Sequence, residues 1–97
     1  MLRVCTVDEL PPGEARRVVA EVPVAVFNVE GTFHAVDDTC THQEASLAEG
    51  WVEDGCVECP LHASRFDLRT GEPTCWPAKR PVRVHPVVVT DGVVYLA

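Results

Sequence analysis

The sequence predicts an all-β domain, and three observations predict it. Short valine-rich runs recur along the chain. They are separated by Glu30-Gly31, Asp54-Gly55 and Asp91-Gly92, pairs of the kind that close tight hairpins. No stretch keeps a 3.6-residue apolar period between helix caps.

Taken in order, Leu2–Thr6 reads as the first strand, and Pro11-Pro12-Gly13 breaks the chain after it. Arg16–Glu21 and Val24–Val29 follow, and Pro23 between them marks an edge or a strand boundary. Glu30-Gly31 turns into Thr32–Val36. Gln43–Ala48 has room for one helical turn at most. Trp51–Val57 is a hairpin about Asp54-Gly55, where Asp-Gly favours a type I′ turn. Phe66-Asp67-Leu68 runs into a turn at Arg69-Thr70-Gly71. Val82–Thr90 pairs with Val93–Leu96 across Asp91-Gly92. Candidate functional residues therefore fall on loops between hairpins.

The length, 97 residues, suits one small domain with a limited core. A composition of 46% hydrophobic and 24% charged residues is ordinary for a folded protein and gives no sign of disorder. The net charge of −7 argues against nucleic acid or anionic lipid as the main partner. It suits a partner with a basic docking face, or serves solubility alone. The longest apolar runs, such as Val24–Phe27 and Val87–Val89, fall far short of the roughly 18–20 residues of a membrane span. Met1-Leu2-Arg3-Val4-Cys5 has no apolar signal region, so a cytoplasmic protein is expected. The cysteines are Cys5, Cys40, Cys56, Cys59 and Cys75. An odd number in a reducing compartment argues against a disulfide framework and for burial or metal binding.

Two segments carry chemistry: Cys40-Thr41-His42 and Cys59-Pro60-Leu61-His62. Each pairs a thiolate donor with an imidazole donor. Sixteen residues separate His42 from Cys59, and they contain the Asp54-Gly55 hairpin, which folds the second segment back beside the first. Two such pairs joined by a hairpin point to one shared metal site. Two thiolates and two imidazoles suit zinc or an iron–sulfur cluster of mixed ligation. Zinc sites commonly group like ligands, whereas here each segment carries one of each. If both cysteines bind one iron and both histidines the other, each loop supplies one ligand to each metal. The arrangement thus favours iron–sulfur, with zinc left open.

These segments resemble the Rieske motif, Cys-x-His followed by Cys-x₂-His. The likeness extends through Thr39–Leu47 and Ala63–Gly71 and covers most of the chain. It is greatest to the small Rieske ferredoxins of bacterial aromatic ring-hydroxylating dioxygenase systems. The resemblance implies one Rieske-type 2Fe–2S cluster on Cys40, His42, Cys59 and His62. It also implies a single Rieske ferredoxin domain over residues 1–97, with three antiparallel sheets and a cluster-binding subdomain at one tip. That subdomain would consist of two loops, about residues 38–48 and 57–68. The function implied is one-electron transfer from a flavoprotein ferredoxin reductase to a terminal oxygenase, by a monomer that is not itself an enzyme. A Rieske subunit of another redox assembly, such as nitrite reductase, is the alternative, and a small structural zinc domain a weaker one. No 2-His-1-carboxylate iron site is visible.

The resemblance also bears on tuning. High-potential Rieske proteins carry an extra cysteine in each cluster loop. Here Leu61 stands at one such position, and Gln43-Glu44-Ala45 supplies no partner. Phe66 stands where those proteins have a hydroxyl-bearing tyrosine, whereas Ser64 retains the serine hydroxyl. A low potential is expected. His42 and His62 would reach solvent, ringed by Leu61, Ala63, Gln43 and Pro77 as a mostly uncharged docking surface.

The remaining candidates read as structural. Cys56 is expected in the core, although Cys56-Val57-Glu58-Cys59 has redox or zinc spacing. Cys5 and Cys75 are expected to be buried or inert, and His34 and His85 to be structural. Trp51 and Trp76 read as packing residues. Asp37-Asp38 and Glu53-Asp54 read as solvated turn charges.

Overall fold

A computed structural model describes residues 1–41, 44–61, 64–75 and 80–97, without the side chain of Cys75. Among the described residues the strands form three antiparallel sheets. The first joins β1 (Leu2–Thr6), β11 (Val93–Leu96) and β10 (Val87–Thr90) in that order. The second runs β2 (Ala15–Val19), β3 (Pro23–Val29), β4 (Thr32–Asp37), β9 (Val84–His85). The third runs β5 (Trp51–Glu53), β6 (Cys56–Glu58), β7 (Arg65–Asp67), β8 (Pro73–Cys75).

The second sheet lies between the other two, and β3 shows why. A half-buried strand alternates apolar and polar residues, but Val24, Ala25, Val26 and Phe27 are all fully buried. Val24 and Val26 pack with Val4, Cys5, Val94 and Leu96 of the first sheet. Ala25 and Phe27 face the other way, into a cluster with Val57 and Phe66 of the third. Asn28 ends the buried run. Its side-chain amide donates to the Leu10 carbonyl at 2.8 Å, and its oxygen accepts from the Gly31 amide at 2.7 Å. Both polar ends of a buried side chain are thus satisfied, and the β3–β4 turn is fixed.

All three X-Gly pairs form the expected turns. Glu30, Asp54 and Asp91 have φ of 51°, 54° and 52°, and the following glycines are also left-handed. Positive φ at both central positions is the type I′ geometry that matches strand twist. Pro23 opens β3, a central strand rather than an edge. A 3₁₀ turn occupies Leu47–Glu49, overlapping only the end of the Gln43–Ala48 stretch in which a helical turn is expected, and a second occupies Val7–Glu9, where none is expected.

One expected strand is corrected. Val82–Thr90 does not continue as a single element. Val84–His85 joins the second sheet through Ala35 and Val36, and Val87–Thr90 joins the first. Pro86 lies at the division, where the missing N–H cannot serve a continuous ladder. No helix among the described residues is long and apolar enough to cross a membrane.

His34 lies on β4 opposite Phe27, half-buried, near Asp67 and Arg69. Burial pushes its pKa below the ordinary histidine value, and Arg69 adds to this against the opposing pull of Asp67. The unfolded chain therefore binds a proton there more readily than the native protein. Stability at His34 is present above the ordinary value near pH 6.5 and declines as pH falls through it. The loss of melting temperature between about pH 7.5 and pH 5.5 is expected to be smaller in His34→Gln than in the parent. Equal losses would exclude this contribution.

Candidate metal centre

The two segments singled out by spacing are both built as loops closed at the neck by main-chain bonds. The first leaves β4 at Asp37. Thr39 bridges Ser46, the Cys40 amide donates to the Ala45 carbonyl at 3.0 Å, and the Leu47 amide donates to the Asp38 carbonyl at 2.7 Å. The second joins β6 to β7, and the Cys59 amide donates to the Ser64 carbonyl at 2.7 Å. In each loop a cysteine stands at the base, where the backbone is best fixed.

Cys40 and Cys59 are 3% and 0% exposed and belong to one apolar cluster with Leu47, Val57, Phe66 and Leu68. The fold therefore brings together the cysteines of the two motifs. His42 and His62 lie outside the described residues, as do Gln43, Ala63, Trp76 and Pro77.

Two further contacts lock the loops. The Thr41 hydroxyl donates to the Arg80 carbonyl at 2.8 Å, and the Arg80 guanidinium donates to the Thr41 carbonyl at 3.3 Å. This pair ties the first loop to the chain entering β9. At Gly50, a Cβ would stand 2.0 Å from the Glu58 carbonyl oxygen. The segment leaving the first loop thus presses on the residue preceding Cys59.

The surroundings agree in part with expectation. Ser64 and Phe66 are fully buried, and Leu61 is 59% exposed, an apolar side chain presented to solvent on the second loop. Three expectations are corrected. Cys56 is not in the core. It is half-buried on the outer face of the third sheet, because the opposite face, carrying Val52, Val57 and Phe66, is the one turned inward. Trp51 is 61% exposed on β5, a terminal strand of that sheet, and does not pack inside. Asp38 is no solvated turn charge. It is 3% exposed, and its carboxylate accepts three hydrogen bonds.

Asp37 also has partners, His85 Nε2 at 2.7 Å and Arg83 Nε at 3.7 Å. His85 is thus structural, as expected. Glu53 and Asp54 are exposed, and Glu53 accepts from Arg65 at 2.8 Å. Cys5 is fully buried in the apolar cluster beneath the first sheet, on the other side of β3.

The donor chemistry fits a cluster of mixed ligation. Two buried sulfurs share an apolar pocket, and each lies on a loop whose sequence supplies an imidazole within three residues.

The family model for the Rieske [2Fe-2S] domain matches residues 1–86. The chain is 52% identical, over 98% of its length and 91% of the relative's, to the 3-phenylpropionate/cinnamic acid dioxygenase ferredoxin subunit of Photorhabdus laumondii. It is 49% identical to the anthranilate 1,2-dioxygenase ferredoxin subunit of Burkholderia cepacia, over 89% of this chain and 81% of that one. Among solved structures it is similar to a chain in a complex of reduced oxygenase and oxidized ferredoxin in carbazole 1,9a-dioxygenase. There the TM-score is 0.94 and the identity 43%, covering 99% of this chain and 100% of that one.

Proposed function

Because the chain belongs to the Rieske 2Fe–2S domain family, we propose that Cys40, His42, Cys59 and His62 hold its one cluster. On that basis it carries single electrons from a flavoprotein reductase to the terminal oxygenase of an aromatic ring-hydroxylating dioxygenase. The observation that carries the ligand assignment is the burial of Cys40 and Cys59 in one apolar cluster, at the necks of two loops that each contain a histidine. The protein is an electron-transfer component and not the oxygenase. Kinship with ferredoxin subunits of such systems supports the oxygenase as recipient and is consistent with the cytoplasm as compartment.

When bound, the cluster supplies a reversible one-electron couple. The chain's own residues do the rest. Cys40 and Cys59 give thiolates from fixed positions in a water-poor pocket, where an unpaired thiolate would be costly and a metal-bound one is not. Leu61 offers an exposed apolar contact on the second loop, suited to close approach of a partner. The net charge of −7 favours a partner whose docking face is basic.

Phe66 has no hydroxyl to donate to a cluster sulfur, and it is fully buried in the cluster that holds both cysteines. Fewer donors leave the added negative charge of the reduced state less compensated. A midpoint potential of about −150 to −50 mV is expected, near the low end of the Rieske range. A value above about +100 mV would exclude this low-potential reading.

Reconstitution tests the function. The purified, coloured protein should support turnover when added to a flavoprotein reductase and the terminal oxygenase of an aromatic dioxygenase. Electron paramagnetic resonance of the reduced form should give the low average g of mixed cysteine/histidine ligation. A colourless zinc protein, or a four-cysteine spectrum, would overturn the ligand assignment. Reduction by the flavoprotein without any transfer to the oxygenase would overturn the assigned recipient.

A further inference from the structure

Asp38 stands at the neck of the first loop, two residues before Cys40. Its side chain is only 4% exposed. One carboxylate oxygen, Oδ1, accepts from the Ser46 hydroxyl at 2.8 Å and from the Ala48 amide at 2.9 Å. The other, Oδ2, accepts from Arg17 Nε at 3.1 Å. Its main chain is engaged as well, donating to the Pro23 carbonyl at 2.9 Å and accepting from the Leu47 amide at 2.7 Å.

These bonds have a common effect. Residues 46–48 are where the chain returns from the loop, and Asp38 is where it departs. One carboxylate therefore holds both sides of the neck, just outside the Cys40–Ala45 bond. Arg17 belongs to β2 of the middle sheet, opposite Ala25. The ion pair thus fastens the loop to a part of the fold that carries no proposed ligand. A buried carboxylate with three charge-assisted or amide donors is a fixed anchor. It is also a fixed negative charge close to where an electron is to be added.

We propose that Asp38, held by Arg17, is the positioning residue of the first ligand loop and that this charge pair helps to set the cluster's potential. The inference rests on Cys40 and His42 being ligands. It assigns roles to two residues that bind no metal themselves. Arg17 is half-exposed, with 49% of its side chain accessible, so water and salt weaken but do not remove its field at Asp38.

The holoprotein and its Asp38→Asn, Arg17→Gln, Arg17→Lys and Ser46→Ala variants give the test. Two quantities are measured, the rate of iron release to a chelator and the midpoint potential. Asp38→Asn turns an amide N–H₂ toward Arg17 and removes the negative charge. Iron release should quicken by about tenfold, the lower range for partners that orient metal ligands, and the potential should rise. Arg17→Gln leaves the carboxylate without its cation. Release should again quicken, but the potential should fall. Arg17→Lys should restore the potential and most of the retention. Ser46→Ala breaks one neck bond and changes no charge, so release should quicken severalfold at an unchanged potential.

A merely structural role would not give shifts of opposite sign in Asp38→Asn and Arg17→Gln. Shifts in the same direction, or parent-like release and potential in Arg17→Gln, would overturn the proposal. If Asp38→Asn yields no holoprotein, Arg17→Gln against Arg17→Lys decides the charge effect and Ser46→Ala the positioning. Cys40→Ser separates this from the ligand assignment. A cluster retained in Cys40→Ser overturns the assignment itself. A cluster lost there, with Arg17→Gln unaltered, overturns only the role of Arg17 and Asp38.

Discussion

Cys59→Ser is expected to abolish the cluster, leaving a protein without stoichiometric iron or acid-labile sulfide and without visible colour. Cys40→Ser should do the same. A serine hydroxyl at neutral pH is not the anion that ferric iron needs, whereas a thiolate is stabilised by the metal it binds. A second loss follows from the fold. Cys59 is fully buried among Leu47, Val57, Phe66 and Leu68, so the substitution also places a hydroxyl in an apolar pocket. That costs about 1–3 kcal/mol where no partner is reached. Loss of the bound cluster removes the further stabilisation that any ligand gives to the native state alone.

The other cysteines supply the controls. Cys5 is equally buried, but in the cluster on the far side of β3. Cys5→Ser should lower the melting temperature by the same hydroxyl burial and keep full iron content. Cys56 is half-buried on the outer face of the third sheet. Cys56→Ser should change neither. Iron loss in Cys56→Ser comparable to that in Cys59→Ser would revive the Cys-x-x-Cys alternative and exclude the proposed ligand set.

The second large effect is expected at Gly50, for a reason of space alone. Its φ of −85° is open to any residue. An added methyl, however, would sit 2.0 Å from the Glu58 carbonyl oxygen and 3.1 Å from its carbonyl carbon. Those are main-chain atoms, which cannot rotate aside. Either the segment after the first loop or the end of β6 must move, and β6 leads directly into Cys59. Gly50→Ala is expected to destabilise the holoprotein by about 2–4 kcal/mol, the range of strong overpacking. In a domain of this size that lowers the melting temperature on the order of 10–20 °C. Because the strain falls between the two loops, iron release should also quicken. Thermal melts followed by far-ultraviolet circular dichroism and by visible absorbance measure both effects. A parent-like melting temperature would mean that the close approach at Gly50 is absent.

The burial of Asp38, the exposure of Trp51 and the outward position of Cys56 share one origin. Each depends on what packs against a face, and nothing in the residues flanking them encodes that. Asp37-Asp38 after a strand has the pattern of a solvated turn. It becomes a buried anchor only because Arg17, distant in sequence, and Ser46 and Ala48, across the loop neck, converge on it. Trp51 and Val52 alternate on β5, and sequence cannot say which of the two faces meets Phe27 and Val36. The third sheet turns Val52 inward, so the tryptophan is left outside.

The all-β class, the positions of the three X-Gly hairpin turns and the two cysteine/histidine segments are legible in the sequence alone. These are local properties, written in φ preferences, in alternation and in ligand spacing over a few residues. Only the packing of the sheets decides that Val82–Thr90 divides at Pro86, that Cys40 and Cys59 share one apolar pocket, and that Arg17 of β2 pairs with Asp38 at the neck of the first loop. Those outcomes arise from contacts between segments far apart in the chain, where burial and pairing follow from the packing of whole sheets.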